Sequence, residues 1–187
     1  MKRIIWAVAG LLVIAGGVLA GTQAGMSEIQ IQGSFEREGN SENDDQDYTV
    51  IGQLGYNYFL SPYMSIGLSS TMSSSMSVPE EGDETTSQVI FAMMRLSLYL
   101  ASGNSPIVPY IGGQGGAALV AWQNEYSDDS SVSLVYGGFG GLKIFASENT
   151  SWNVEGSLAI YEPDVEENEG SVTYNSTALT VGFSYYF

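Results

Sequence analysis

Beyond residue 25 the chain alternates. Ile29, Ile31, Gly33 and Phe35 interleave with Gln30, Gln32, Ser34 and Glu36. Trp152, Val154, Gly156, Leu158 and Ile160 interleave with Asn153, Glu155, Ser157 and Ala159, and Leu179, Val181, Phe183, Tyr185 and Phe187 with Thr180, Gly182, Ser184 and Tyr186. A period of two places one set of side chains on each face of a strand. No stretch carries the three-to-four spacing of an amphipathic helix. Strands are predicted at 27–36, 48–58, 63–73, 88–100, 109–122, 131–144, 151–161 and 172–187, with ends uncertain by about two to four residues.

The connections are of two kinds, and they alternate. Acidic clusters lie at EREGNSENDDQD (36–47), PEEGDE (79–84), EYSDDS (125–130) and EPDVEENEG (162–170), and together hold 18 of the 21 acidic residues. Between them come short, nearly uncharged segments: FLSPY (59–63), ASGNSPIVP (101–109) and FASENTS (145–151). Seven connections join eight strands. Strict alternation puts every acidic loop on one side and both chain ends on the other. A forty-residue interval also suits propeller blades, but each interval here holds two strand patterns rather than four.

Eight antiparallel strands can close into a barrel and so remove the sheet's edges. A soluble barrel turns its apolar face inward, whereas a membrane barrel turns it to lipid and fills the lumen with polar or small groups. The second face decides between them. A water-facing surface is about a quarter to a third charged. Here that face is Ser, Thr, Gln, Asn, Gly and Tyr, and its charges within the strands are nearly confined to Glu28, Arg95, Lys143 and Glu155. That composition suits a narrow lumen, and an all-β fold is expected: an eight-stranded, antiparallel, up-and-down transmembrane β-barrel.

The four charges sum to zero and fall toward the short-turn end. An ionic cluster in the lumen, centred on Arg95 and Glu155, is expected, with Lys143 and Glu28 either joining it or reaching water at the turns. Aromatics gather near strand ends, as in the two girdles of a membrane barrel. Tyr58, Phe59, Tyr63, Tyr99, Tyr110, Phe145, Trp152, Tyr185 and Phe187 lie near the short turns, and Tyr48, Trp122, Tyr126, Tyr161 and Tyr174 near the acidic side. GGQGGAA (112–118) and GGFGG (137–141) open no helix, so they do not form a nucleotide loop. They are expected to make room for bulky lumen side chains or to let the sheet bend.

Composition narrows the chemistry. The 187 residues include no Cys and no His, and the net charge is −16. Without His, acid–base and triad chemistry loses its usual base. Without Cys there is no disulfide, thiolate nucleophile or Cys-based metal site. The acidic balance excludes a nucleic-acid surface, which needs Lys and Arg. At the N-terminus, Lys2 and Arg3 precede an apolar run from Ile4 to Ala20 and then small residues, the architecture of a secretory signal. Residues 1–24 are read as that signal, cleaved after Ala20 or Ala24, and 25–187 as the barrel domain. The mature chain would then hold three basic residues against 21 acidic ones.

NYFLSPYMSIGLSS, VPYIGGQGGAAL and the ending LTVGFSYYF resemble the small outer-membrane β-barrels of Gram-negative bacteria, of OmpA, OmpX and OmpW type, across the whole mature chain. The resemblance implies an outer-membrane location with periplasmic termini and extracellular acidic loops. It also implies that Phe183, Tyr185 and Phe187 belong to a terminal signal read by the outer-membrane assembly machinery. It implies no particular activity.

Three functions are compatible with these residues. The first is a non-enzymatic surface protein, a scaffold with an adhesion or envelope-integrity role. It would be a monomer in contact with outer-membrane lipid and lipopolysaccharide, its loops meeting a basic extracellular partner. The second is a narrow channel for small or hydrophobic solutes. The third, an enzyme, is set aside because no His is present to serve as base and Asp128 and Asp129 are adjacent, so their side chains diverge in an extended segment. No cofactor is expected beyond loosely held Ca²⁺ or Mg²⁺. Carboxylate oxygens suit such hard cations, and Asp44, Asp45 and Asp47, then Glu166, Glu167 and Glu169, are the densest groups. Neither segment has the ligand spacing or glycine of an EF-hand. Solvation of the loops accounts for the same charges without any metal.

Overall fold

A computed structural model describes residues 22–39, 46–78, 85–101, 105–124, 127–161 and 174–187. Eight strands run in chain order: β1 (Ser27–Gly39), β2 (Gln46–Ser61), β3 (Met64–Val78), β4 (Thr85–Tyr99), β5 (Ile107–Asn124), β6 (Ser127–Ser147), β7 (Thr150–Tyr161) and β8 (Tyr174–Tyr186). Each pairs antiparallel with the next, and β1 pairs with β8, so the sheet closes into a barrel. All eight predicted strands are present. β6 is the longest at 21 residues, where the alternation alone suggested 131–144.

Closure sorts the side chains by parity. On β4, Phe91, Met93, Arg95, Ser97 and Tyr99 are buried, while Ile90, Met94, Leu96 and Leu98 are exposed. On β2, Gln53, Asn57 and Phe59 point inward, and Val50, Leu54, Tyr56, Tyr58 and Leu60 outward. The outward set is continuous around the wall, through Ile29, Ile31, Leu68, Ile111, Leu134, Leu142, Trp152, Leu158 and Leu179. Soluble monomers rarely expose apolar patches beyond a few hundred Å². From Val50 to Leu60 the belt spans eleven residues of β2; at about 3.4 Å per residue and a tilt near 40° it stands roughly 27 Å tall. That height matches bilayer hydrocarbon, and a closed barrel leaves few backbone groups to be satisfied there.

Two short connections are tight. β2 passes to β3 through Ser61–Tyr63, where the Tyr63 amide donates to Ser61 Oγ at 3.2 Å. β6 passes to β7 through Glu148 and Asn149, and Asn149 Nδ2 donates to the Tyr186 carbonyl at 2.9 Å. The chain ends meet at this side: Ser27 and Phe187 exchange both backbone hydrogen bonds, at 2.9 and 3.0 Å. Before β1, Gly25 adopts φ +85°, a conformation that favours glycine, and its amide donates to the Phe59 carbonyl at 2.8 Å.

Candidate functional site: the lumen of the barrel

The lumen is filled in three layers. At the short-turn end lies an aromatic floor of Phe59, Tyr99, Tyr110, Phe139, Phe145 and Tyr186 with Val108, and Met26 packs against it. Ring centroids of Phe59 and Tyr99 are 5.1 Å apart, those of Phe145 and Tyr186 5.2 Å, and those of Tyr99 and Tyr110 5.8 Å, all tilted. Such pairs contribute about 0.5–1.5 kcal/mol beyond burial.

Four of these rings correct the girdle assignment. Phe59, Tyr99, Tyr110 and Phe145 are buried inside the barrel, not set at the membrane interface, and Tyr161 also lies inward. Parity is the reason, and it was readable. Tyr99 shares its face with Arg95, Phe145 with Lys143, Phe59 with Asn57 and Tyr110 with Gln114, because positions two or four apart on a strand project to one side. The outward aromatics at this end are Tyr58, Tyr63, Trp152, Tyr185 and Phe187. At the acidic end Tyr174 is exposed and stacks on Tyr161. Tyr126 lies outside the described residues.

Above and among the rings sits the ionic layer. Arg95 Nη2 donates to Glu155 Oε2 at 2.7 Å, and Tyr110 Oη donates to the same oxygen at 2.8 Å. The Arg95 guanidinium lies 3.6 Å over the Phe139 ring, a desolvated cation–π contact. Lys143 Nζ donates to Glu28 Oε1, where Tyr186 Oη also donates at 3.1 Å, and Asn57 Nδ2 reaches Glu28 Oε2 at 3.0 Å. Lys143 Nζ is 5.2 Å from the Tyr110 ring, so Tyr110 joins the two pairs into one cluster. All four charged residues are 3% exposed or less. Lys143 and Glu28 therefore do not hang into water. Both side chains are enclosed, and each is the other's counter-charge.

Burying charges costs several kcal/mol per ion, and attraction offsets this only when further hydrogen bonds satisfy the remaining lone pairs. Here Asn57 and Tyr186 add two such bonds to Glu28 and Tyr110 adds one to Glu155, while Arg95 Nε and Nη1 lie buried without a hydrogen-bond partner. Around the cluster, Asn153 Nδ2 donates to Ser184 Oγ at 2.6 Å, Thr180 Oγ1 to Gln32 Oε1 at 2.8 Å, and Ser151 Oγ bonds Tyr186 Oη at 3.0 Å.

The third layer, toward the acidic loops, contains an apolar cluster: Phe91, Met93, Ala118, Val120, Val135, Ala159 and Tyr161, with Val89 at its margin. The expected polar residues share this level, with Gln53, Ser69 and Ser133 buried beside the apolar cluster. An eight-stranded lumen is only side-chain wide, so it packs as a core does, and apolar groups fill it without needing partners. Beside Phe91 and Met93 this level also holds a cavity of about 20 Å³ lined by Gln53, Thr71, Gln114 and Ser157, room for about one water.

The glycine runs divide by parity too. A side chain on Gly112 would strike Phe139 and the Leu96 carbonyl, and one on Gly141 would strike Tyr110 and the Val154 carbonyl. These inward glycines make room for the floor. Gly113 and Gly138 face outward and have space.

Of the remaining expected site residues, Phe183, Tyr185 and Phe187 all project outward, at 39%, 49% and 60% exposure. Asp47 lies at the start of β2, in register with Glu38. Asp44, Asp45, Glu166, Glu167 and Glu169 lie outside the described residues. Among the described residues no three potential metal-ligating side chains cluster.

The sequence matches no known family model and no curated protein. Solved structures do resemble it in fold. The N-terminal β-barrel domain of Pseudomonas aeruginosa OprF aligns over 88% of this chain and 98% of that one, at 12% identity and a TM-score of 0.57. Neisserial surface protein A aligns over 86% and 98%, at 13% identity and a TM-score of 0.59. The outer membrane protein OprG from Pseudomonas aeruginosa aligns over 91% and 99%, at 12% identity and a TM-score of 0.53. The fold is thus that of the small outer-membrane β-barrels.

Proposed function

We propose that this chain is a bacterial outer-membrane protein of the adhesion or envelope kind, without enzymatic activity, in which a sealed barrel holds acidic loops as the working surface. The observation that carries this reading is the filled lumen: an aromatic floor, a neutralised ionic layer and an apolar layer stacked in series. Conduction would require Arg95, Glu155 and several rings to move together, leaving buried charges unpaired. The apolar belt supports a membrane location, and the shared fold supports the outer membrane. Strand alternation puts the chain ends and short turns together on one side and the acidic segments on the other; we take the first side as periplasmic and the second as extracellular. Loops on a rigid frame are where binding residues concentrate, and these loops are charged for a basic partner.

Planar-bilayer recording on the refolded protein tests the sealed barrel, with and without added Ca²⁺. Silence is expected in both. Steady, discrete openings would replace this reading with that of a narrow channel for small or hydrophobic solutes.

A second expectation concerns assembly. Phe187 supplies both backbone bonds that close β8 onto Ser27, and its outward ring completes the alternating terminal pattern. Deleting Phe187 should sharply reduce the heat-modifiable, membrane-inserted fraction in cells. Normal insertion without it would remove the assembly role.

A further inference from the structure

The chain ahead of β1 is folded onto the barrel. Thr22 is fully buried, and its Oγ1 donates to the Pro62 carbonyl in the β2–β3 turn at 2.6 Å. Residues 23–26 form a tight turn, in which the Met26 amide reaches the Gln23 carbonyl at 3.4 Å. Gly25 is the third residue of that turn, with φ +85°. A positive φ at this position is what a type II turn requires, and glycine supplies it without steric cost. Among the described glycines no other adopts it. The turn then hands the chain to the aromatic floor. The Gly25 amide donates to the Phe59 carbonyl at 2.8 Å, the Phe59 amide donates to the Met26 carbonyl at 2.9 Å, and Met26 packs on the rings. Residues 22–26 are therefore a strap at the short-turn end of the lumen, pinned at Pro62 and again at Phe59.

The strap bears on how the chain matures. Two small-x-small sites end the N-terminal signal, Val18-Leu19-Ala20 and Thr22-Gln23-Ala24, and either fits the cleavage pattern. The sequence leaves them equal, and the fold separates them. A cut after Ala24 removes Thr22 and with it the anchor at Pro62. It also removes the first two residues of the turn, so the left-handed conformation of Gly25 would serve nothing. A discarded signal needs only a charged start, an apolar run and small residues at its end. It has no use for a buried threonine or for a turn docked on the barrel. A cut after Ala20 leaves both in place.

We propose that the signal is removed between Ala20 and Gly21, and that the strap which follows is a retained part of the folded barrel. Ala20 and Gly21 themselves lie just outside the described residues. The step is a hydrolysis carried out by a membrane-bound signal-processing protease, with water as co-reactant. The amide C–N bond between Ala20 and Gly21 breaks. The Ala20 carbonyl carbon gains the hydroxyl of water and the Gly21 nitrogen gains its proton. After ionisation the signal leaves as a carboxylate and Gly21 carries an α-ammonium. This inference rests on reading the N-terminal segment as a cleavable signal, and it does not depend on what the acidic loops bind.

The test expresses the full chain in a Gram-negative host, extracts it from the outer membrane and reads its N-terminus by intact mass and N-terminal sequencing. The product should begin at Gly21. A product beginning at Gly25 overturns the proposal, and one that keeps Met1 removes the cleavable signal along with it. Two variants mark the site. Ala24→Leu should be processed as the parent is, because Ala24 is exposed and outside the proposed site. Ala20→Leu should accumulate unprocessed chain. Normal processing of Ala20→Leu with failure of Ala24→Leu reverses the assignment. The strap has its own readout in the processed protein. Thr22→Val keeps the shape and removes the donor, and either residue fits the small-x-small pattern, so cleavage is undisturbed. Amide hydrogen exchange at Gly25 and Met26 should then rise several-fold, on the scale of one lost hydrogen bond. Unchanged exchange at both would mean that Thr22 does not hold the strap, and the structural ground for the cut after Ala20 would go. None of these results bears on conduction, so the sealed-barrel reading is judged separately by the bilayer recording.

Discussion

Arg95→Ala is expected to lower the unfolding free energy of the barrel by about 3–5 kcal/mol, the range for stranding a buried charge. Glu155 would keep only its hydrogen bond from Tyr110 Oη and sit 1% exposed without a counter-ion. The Phe139 ring would lose the cation lying over its face. Water reaching the vacated space could hydrate the carboxylate only by opening a layer that is otherwise packed. Urea unfolding in lipid vesicles and heat-modified gel mobility both report the loss. Replacing the pair together, as Arg95→Met with Glu155→Leu, should recover most of it, because a well-packed apolar pair avoids the desolvation cost. An unchanged midpoint in Arg95→Ala would mean that the ionic layer does not hold the barrel together.

Gly112→Val should destabilise by roughly 2–3 kcal/mol, at the upper end of ordinary overpacking. Its neighbour Gly113→Val should stay within about 0.5 kcal/mol of the parent. The two glycines are adjacent and chemically identical, so only the face differs. A side chain on Gly112 meets Phe139 and the Leu96 carbonyl, and backbone cannot yield as a flexible side chain can. Displacing Phe139 also disturbs the surface on which Arg95 rests. At Gly113 the nearest atom to an added Cβ is the Gly137 carbonyl oxygen at 3.9 Å, and valine suits a strand facing lipid. Equal effects at both positions, read from urea midpoints, would invalidate the division into lumen and lipid faces.

The same parity explains how much of the lumen was legible beforehand. Arg95 and Glu155 could be set together from the scarcity of charge on their face. The geometry adds Lys143 and Glu28 as a second pair, joined to the first through Tyr110. Strand-end position points to a girdle for Phe59, Tyr99, Tyr110 and Phe145, whereas alternation sets them in the floor. Tyr99 stands two positions from Ser97 and four from Arg95, and that spacing already placed it indoors. The upper lumen was unreadable in a different way. Phe91 and Val120 look like residues bound for lipid until strand closure shows that their face is the inner one and that space there demands packing.

Local alternation and the two kinds of connection determined the strand number, the antiparallel order, the side on which the chain ends lie and the lipid-facing belt. These follow from a period of two and from chain continuity, which are written residue by residue. Only the tertiary structure decided that Lys143 and Glu28 pair inside the lumen, which glycines are compressed and where the barrel fails to zip. Cross-lumen partners are set by the stagger of all eight strands together. β1 and β8 pair only as far as Gly33 and Val181, where two strands distant in sequence diverge, and neither one's own alternation carries any record of it.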